Sequence, residues 1–218
     1  AYLQESHPGT VAMFLNGCSG DQNPYPRRSL SLAQQHGRAL ANGVETALET
    51  KRIRDIDGSL HVALEYATLE FAGPPSRESI EAKVSSGNKY ERIHGQALLD
   101  ELQQHGVIKT KYDRFPIQVA QFGDDLTLVA ICGEVVVDYS LRLKQELARN
   151  DQDIVWVAGY SNYVFGYLPS QRVLQEGGYE GARAMTYTTF PGSFDPSVED
   201  RVVAAVKRLV TRVRPAGR

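Results

Sequence analysis

The chain has 218 residues and a mass of 24.1 kDa, which is the size of one domain with its own hydrophobic core. Its 24 Lys and Arg residues are balanced by 26 Asp and Glu residues, so the net charge of −2 argues against a protein that binds nucleic acid through a basic surface. Two cysteines are too few for a disulfide-rich scaffold, and no apolar run reaches the roughly 18 residues of a membrane span.

The first half of the chain alternates between strand and helix patterns. A short apolar run at residues 11–15 predicts a buried strand. Apolar residues four positions apart predict a helix over residues 31–51, and strict apolar alternation predicts a half-buried strand at residues 60–66. Two prolines within residues 73–76 predict a loop. The pattern then predicts two helices, at residues 77–86 and 89–105.

The second half continues the alternation. Apolar residues at 115, 117 and 119 predict a strand, and the turn residues at 123–125 join it to Leu126–Ile131 as a hairpin. A helix is expected over residues 134–149, followed by a fully apolar strand at Ile154–Ala158. The last element is a helix with a capping-box-like start at Ser197 and Asp200 and an apolar stripe formed by Val198, Val202, Val206, Leu209 and Val213.

Strands that alternate with amphipathic helices predict an α/β fold, with a layered mixed β-sheet flanked by helices in a single domain. Three of the predicted strands end in segments rich in glycine and polar residues, at 16–24, 132–134 and 159–163. Because ligands of α/β folds bind where such loops converge, we expect these three segments to form a site. The alternative is that their Gly, Asn and Asp residues only turn the chain.

The candidate site loops lack the common cofactor motifs. The first loop has neither the GxxxxGK[ST] nor the GxGxxG spacing, so nothing supports a nucleotide cofactor. We interpret Cys18 and Cys132 as small half-buried thiols, with a disulfide between them left open. No two of the five histidines have a metal-binding spacing, and each is interpreted as a surface or internally bonded side chain: His7, His36, His61, His94 and His105.

Two features of the later loops suggest a metal more than a nucleophile. Glu134 stands at the start of a predicted helix, where the helix dipole also favours a carboxylate for purely structural reasons. Tyr160, Tyr163 and Tyr167 cluster after the third strand, and tyrosines in such places commonly pack with the hydroxyl outward.

Three segments follow one another in a recognisable order. Residues 14–24 resemble a Gly-Asp-x-Ser-Pro-Asn loop after a short strand, and residues 132–134 resemble a Pro-Gly-Glu segment at a helix start. The third match is a Gly-x-x-Asn segment at residues 159–162. As in the pattern it resembles, this segment is followed by a tyrosine, Tyr167, and later by Tyr-Glu-Gly at residues 179–181. In this order and spacing, the chain resembles the neutral (non-lysosomal) ceramidase family.

This resemblance implies a hydrolase of the linear amide bond in N-acyl sphingoid lipids, with a zinc ion held by two histidines, a glutamate and a tyrosine. Glu134 matches the glutamate and Tyr167 matches the tyrosine. The family's histidines would lie upstream of Ala1. The resemblance therefore implies that residues 1–218 are the C-terminal part of the catalytic domain, with half of a zinc site that binds zinc only weakly by itself.

The first loop supplies the candidate catalytic residues, Asp21 and Asn23, which would line the site. The family's serine aligns with Asn23, and asparagine cannot form an acyl-enzyme by that route. It can donate hydrogen bonds to a developing oxyanion. The substitution weakens serine chemistry and leaves attack by a metal-activated water open.

Two other hypotheses remain. A non-catalytic pseudoenzyme, or a module that binds lipid or glycan, is favoured by Asn23 and by the histidines that the resemblance places outside the chain. An α/β-hydrolase with an unrelated site is disfavoured because the chain has no G-x-S-x-G elbow. The resemblance also implies a bacterial protein that is secreted or periplasmic, while the oligomeric state stays open.

Overall fold

A computed structural model describes residues 1–51 and 53–214. The fold is α/β, with a mixed sheet and flanking helices, as predicted. Its strands are β1 (Leu60–Glu70), β2 (Lys111–Phe122), β3 (Leu126–Ile131), β4 (Glu134–Val135), β5 (Ile154–Ala158) and β6 (Tyr167–Leu168). Its helices are α1 (Tyr2–Ser6), α2 (Leu30–Glu49), α3 (Arg77–Val84), α4 (Lys89–His105), α5 (Val137–Leu147), α6 (Gln171–Glu176), α7 (Gly178–Gly181) and α8 (Val198–Val213), with a 3-10 turn at Arg183–Tyr187.

The central sheet has the strand order β1-β2-β3-β5. β1 and β2 are antiparallel, and β2 and β3 form the predicted hairpin around residues 123–125. β3 and β5 are parallel because α5 carries the chain back across the sheet between them. A second, two-stranded parallel sheet pairs β4 with β6.

One face of the central sheet forms the hydrophobic core, where α8 packs against β1 and β2 and α5 packs against β5. The apolar stripe of α8 is buried along its whole length, as its four-residue spacing predicts. The capping prediction for Ser197 is wrong, since its side chain makes no cap hydrogen bond. The Asp195 Oδ1 accepts from the Ser197 amide at 2.9 Å, immediately before the helix begins.

The other face of the central sheet is exposed. The alternation at residues 60–66 correctly predicts a strand, but its apolar side points away from the core. We call this side of the sheet the open face; its most exposed apolar residues are Leu60, Val62, Leu64, Tyr66, Ile154 and Trp156, which are 41–56% exposed. Alternation shows which residues share a face of a strand, but not whether another layer covers that face.

The N-terminal segment departs most from the prediction. Residues 11–15 form no strand, and Val11, Met13 and Phe14 are 80%, 92% and 73% exposed. The prediction of a buried strand there is wrong because an apolar run needs a neighbouring strand to pair with, and no described element pairs with this one. α2 starts where Ser29 accepts a hydrogen bond from the Leu32 amide.

The helices before and after β2 follow the sequence pattern closely. α3 and α4 begin at the caps Ser76 and Asn88, and α4 ends at Gly106 in the left-handed conformation. α5 starts three residues later than predicted because Glu134 and Val135 belong to β4. Among the described residues, no helix combines the length and apolar character needed to cross a membrane.

Candidate active site

The three predicted loops meet at the carboxyl ends of β3 and β5, and they are joined there through their main chains. The Gly20 amide donates to the Val135 carbonyl at 2.8 Å, which ties the first loop to the second. The Tyr160 amide donates to the Gly133 carbonyl at 2.9 Å, and the Gly133 amide donates to the Tyr163 carbonyl at 2.9 Å. These bonds hold the loops in one fixed arrangement.

Glycine is required where the first loop crosses the second. A Cβ atom on Gly20 would lie 2.4 Å from the Glu134 carbonyl oxygen and 2.9 Å from its carbonyl carbon. A Cβ atom on Gly159 would lie 3.0 Å from the Gly17 carbonyl oxygen. The Gly and polar residues in these loops therefore allow close backbone contact as well as chain reversal.

Glu134 and Tyr167 are brought together by the small sheet. They are direct partners in the parallel pair of β4 and β6, and both side chains are half-buried. The Tyr160 hydroxyl donates to Glu134 Oε2 at 3.3 Å, so two phenols lie beside one carboxylate. Glu134 and Tyr167 also line one cavity of about 220 Å³, together with Val164, Phe165, Gly166, Tyr179, Ala184, Tyr187 and Thr188.

Burial and the neighbouring charge keep these phenols protonated. Burial raises the pKa of Tyr167 well above its usual range, and the Glu134 carboxylate raises it further. Burial is also the main cause of the raised pKa of Tyr160. At neutral pH both hydroxyls are protonated, and that of Tyr160 donates its hydrogen bond to Glu134.

A row of tyrosine rings leads away from this pair. The Tyr179 ring lies edge-on to Tyr167 with centroids 5.4 Å apart, Tyr187 is 6.3 Å from Tyr179, and Tyr90 on α4 is 4.9 Å from Tyr187. The row borders a second cavity of about 530 Å³ with largely apolar walls. That cavity shares four lining residues with the first: Val164, Phe165, Tyr187 and Thr188. Tyr90 and Tyr187 belong to no sequence motif, so only their packing identifies them.

Asp21 has a clear structural role. Its Oδ1 accepts a hydrogen bond from the Val137 amide at 2.9 Å, which places a carboxylate at the first residue of α5. Its Oδ2 lies 3.8 Å from Arg172. Asp21 does not line the cavity beside Glu134. Asp21 therefore anchors the first loop to the start of α5.

Asn23 lies away from the Glu134–Tyr167 cavity. Its side chain is exposed, and its Oδ1 accepts a hydrogen bond from Arg27 four residues along the chain. It is not among the residues that line that cavity. A role for Asn23 in binding an oxyanion stays a prediction.

The cysteines differ from the half-buried thiols that we predicted. Cys18 and Cys132 are both buried, at 7% and 0% exposure, and both are free. Burial raises the pKa of each thiol to about 12, so neither is a nucleophile at neutral pH. The prediction was wrong about burial because both residues join the main core at the ends of apolar segments.

His94 is the one histidine among the described residues that is fully buried, and its ring nitrogens are satisfied internally. Nε2 donates to the Phe190 carbonyl at 2.6 Å, and Nδ1 lies 3.2 Å from Lys83 Nζ. His7 pairs with Glu45 on α2 at 2.9 Å. Neither ring contacts Glu134.

Zinc has only part of a ligand set here. Glu134 offers the carboxylate oxygen that the ion accepts, and Tyr167 is its direct neighbour across the small sheet. Within residues 1–51 and 53–214, no three His, Cys, Asp or Glu side chains are grouped closely enough to hold a metal ion. A catalytic zinc commonly has three protein ligands, so these residues fit part of a site and do not form a complete one.

Comparison with known proteins bears on the fold. No protein-family model and no curated protein matches the chain. A crystal structure of neutral ceramidase from Pseudomonas aeruginosa aligns with 93% of this chain at a TM-score of 0.51 and 16% identity. The fold is ceramidase-like. The chain spans only 38% of the length of that ceramidase. A ceramidase complexed with C2 aligns with 74% of this chain and 32% of its own, at 18% identity, but its TM-score of 0.36 is too low to bear on the fold.

Proposed function

We propose that this chain is part of a zinc-dependent hydrolase that cleaves a linear amide bond in a lipid-like small molecule. The observation that carries the proposal is the in-register pair of Glu134 and Tyr167 beside a cavity, within a ceramidase-like fold. The resemblance gives these two positions to metal ligands. It also supports export of the protein to the periplasm or the medium, which cell fractionation tests.

Each side chain has a role in this proposal. Glu134 and Tyr167 are two ligands, and Tyr160 holds the Glu134 carboxylate in place through its hydroxyl. Further ligands come from polypeptide outside these residues. A bound zinc ion would supply a Lewis acid for the amide carbonyl and would lower the pKa of water. The apolar cavity beside Phe165 and Phe190 accommodates the hydrocarbon part of the substrate.

Metal binding tests the ligand assignment. We expect the purified chain to bind Zn²⁺ weakly in competition with a chelating dye, because it holds only part of a ligand set. Glu134→Gln and Tyr167→Phe should each weaken that binding by about tenfold or more. The matched controls are Glu5→Gln on α1 and Tyr25→Phe, which is 93% exposed. Equal affinity in all four variants and the wild type would refute the assignment.

Hydrolysis is tested separately. The full-length protein encoded by the gene should release fatty acid from N-acyl amides in a zinc-dependent way, and Glu134→Gln should abolish the release. The Tyr25→Phe variant should retain it.

A second candidate function is binding of a lipid or glycan without catalysis. The observation that favours it is Asn23, which stands where the resemblance places a serine and lies exposed outside the cavity. Tight binding of an N-acyl amide by the full-length protein, without turnover on amide or ester substrates, would establish this alternative. Zinc-dependent release of fatty acid would eliminate it.

A further inference from the structure

A third cavity of about 280 Å³ lies beside the Glu134–Tyr167 pair, and the proposed hydrolase mechanism does not use it. Tyr179 and Tyr187 line both this cavity and the one that contains Glu134 and Tyr167. Tyr187 and Thr186 also line the larger apolar cavity. We call the third cavity the polar cavity; its remaining lining residues are Asn88, Glu91 and Arg183. The three cavities are therefore neighbours around the side chain of Tyr187.

The polar side chains of this cavity have hydrogen-bonding groups left over. Glu91 on α4 is half-buried, and its Oε2 accepts from the Ser86 hydroxyl, while its other oxygen has no hydrogen-bond partner among the described residues. Arg183 is exposed, and it forms no hydrogen bond or ion pair with the part of the chain that the structure describes. The Asn88 Oδ1 accepts from the Tyr90 amide at 2.9 Å, which leaves the Asn88 amide nitrogen free to donate to a ligand. The cavity therefore offers both donors and an acceptor.

The balance of charge in the polar cavity indicates the charge of its ligand. One guanidinium and one carboxylate line it, so the lining as a whole favours neither an anion nor a cation. A hydroxyl group both donates and accepts, so it can pair with Arg183, with Asn88 and with Glu91. A neutral ligand that carries several hydroxyls therefore satisfies all three side chains.

Two tyrosines form the apolar part of the cavity wall. Tyr179 and Tyr187 are 39% and 57% exposed. Their rings are tilted by 56° to each other, and Tyr187 is tilted by 59° to Tyr90, so among these rings none stacks flat on Tyr187. An uncovered ring face of this kind packs against the C–H groups of a sugar ring. The volume of about 280 Å³ is close to the lower end of about 300–1,000 Å³ for small-molecule sites, which fits one compact ring.

We propose that the polar cavity binds a neutral sugar ring. Arg183, Asn88 and Glu91 form hydrogen bonds with its hydroxyls, and Tyr187 packs against its C–H face. The sugar is the head group of the lipid-like amide, because the polar cavity shares two tyrosines with the cavity of the proposed metal ligands. This assignment of the sugar to the substrate rests on the proposed function, whereas the sugar site itself does not.

Binding of simple glycosides to the 218-residue chain tests the site directly. Methyl β-D-glucopyranoside and methyl β-D-galactopyranoside carry the sugar ring without a hydrocarbon chain, so the apolar cavity does not contribute to their binding. Titrations followed by saturation-transfer difference NMR measure the affinity, and inorganic phosphate is titrated separately as an anionic probe. The variants are Arg183→Gln and Glu91→Gln, with the exposed residues Arg212→Gln on α8 and Glu5→Gln on α1 as matched controls.

We expect saturable binding of at least one of the two glycosides. Arg183→Gln and Glu91→Gln should each weaken it by about tenfold or more, because each removes a hydrogen bond to a charged group, and the two controls should leave it unchanged. Arg183→Gln is the deciding variant, since an exposed side chain without a partner in the described residues can be replaced with little effect on the fold. Absence of saturable glycoside binding would overturn the proposal, as would equal affinity in Arg183→Gln and the wild type.

Phosphate binding that Arg183→Gln abolishes, without binding of either glycoside, would assign the cavity to an anion and would also overturn the proposal. The titrations contain neither zinc nor an amide, so a failure of the sugar site leaves the hydrolase proposal standing. Conversely, an unchanged Zn²⁺ affinity in Glu134→Gln would refute the metal ligands and leave the sugar site standing.

The link between the sugar and the substrate is tested in the full-length protein. The readout is the ratio of kcat/KM for an N-acyl amide that carries a hexose to kcat/KM for the same amide without it. We expect Arg183→Gln to lower this ratio by about tenfold and Arg212→Gln to leave it unchanged. An equal ratio in Arg183→Gln and the wild type would overturn the assignment of the sugar to the substrate.

Discussion

The contact between Gly20 and Glu134 makes Gly20→Ala a direct test of how the site is built. The new Cβ atom would lie 2.4 Å from the Glu134 carbonyl oxygen, and both groups belong to backbone that cannot rotate away. The two segments must separate by about 0.6–1 Å to restore an ordinary contact. That separation stretches the 2.8 Å hydrogen bond from the Gly20 amide to the Val135 carbonyl.

The expected cost combines two effects. Overpacking costs about 1–3 kcal/mol, and a weakened buried hydrogen bond costs about 0.5–1.5 kcal/mol. We therefore expect Gly20→Ala to lower the free energy of unfolding by roughly 2–4 kcal/mol. Urea unfolding followed by the fluorescence of Trp156, the single tryptophan of the chain, measures this change. The variant should also lose Zn²⁺ affinity, because the backbone of Glu134 moves.

Gly87→Ala is the matched control, since a Cβ atom there has no neighbour within 4 Å. We expect its stability to stay within about 0.5 kcal/mol of the wild type. If Gly20→Ala were as stable as Gly87→Ala, the close crossing of the first two loops would not exist as described. A loss of stability with unchanged Zn²⁺ affinity would show that the crossing does not position Glu134.

Three further predictions follow from the core and the surface. Leu209 on α8 has no exposed surface, so Leu209→Ala should lower the free energy of unfolding by about 2–5 kcal/mol. The control Leu141→Ala, at an exposed residue of α5, should change it by less than about 0.5 kcal/mol. Similar effects of the two substitutions would contradict the packing of α8 on the sheet. The hydrogen bond from the Arg149 guanidinium lowers the pKa of Asp153, so this ion pair stabilises the folded state above about pH 4 and loses that effect as the pH falls. Asp153→Asn should therefore have a lower free energy of unfolding than the exposed control Asp151→Asn at pH 7. Urea titrations should show this difference shrinking between pH 7 and about pH 3. Both cysteines should resist Ellman's reagent at pH 8 in the folded chain and react in denaturant, because burial raises each thiol pKa to about 12; fast reaction of the folded chain would place a thiol at the surface.

Sequence patterns correctly predicted the elements whose apolar spacing, capping residues or turn residues are all local. α4 was predicted at its observed bounds because its cap, its apolar spacing and Gly106 all agree. The hairpin at residues 123–125 and the stripe of α8 were predicted for the same reason. The failures at residues 11–15 and on the open face share a cause, which is that burial depends on other segments. A sequence pattern shows that a surface can be covered, but it does not show by what.

The site was predictable only in part. The three loops were located after predicted strands; two of those strands exist as β3 and β5, whereas residues 11–15 form none, and the structure nevertheless joins all three loops. The pairing of Glu134 with Tyr167 came from a resemblance, and it depends on the two-residue strands β4 and β6, which are too short to show a period. The row from Tyr90 to Tyr179 brings together residues nearly 90 positions apart, which a local pattern cannot show.

The backbone hydrogen bonds between the site loops have a consequence for how such a protein can change over time. The crossing of Gly20 with Val135 and the bonds around Gly133 use main-chain atoms, which every residue type supplies apart from the proline nitrogen. Side chains on these loops can therefore be exchanged while the positions of their Cα atoms persist. A chain can in this way keep a ceramidase-like fold at 16% identity and carry Asn23 where the resemblance places a serine. Substitutions on these loops can therefore change the chemistry of the site while the main-chain hydrogen bonds keep the loops in the same arrangement.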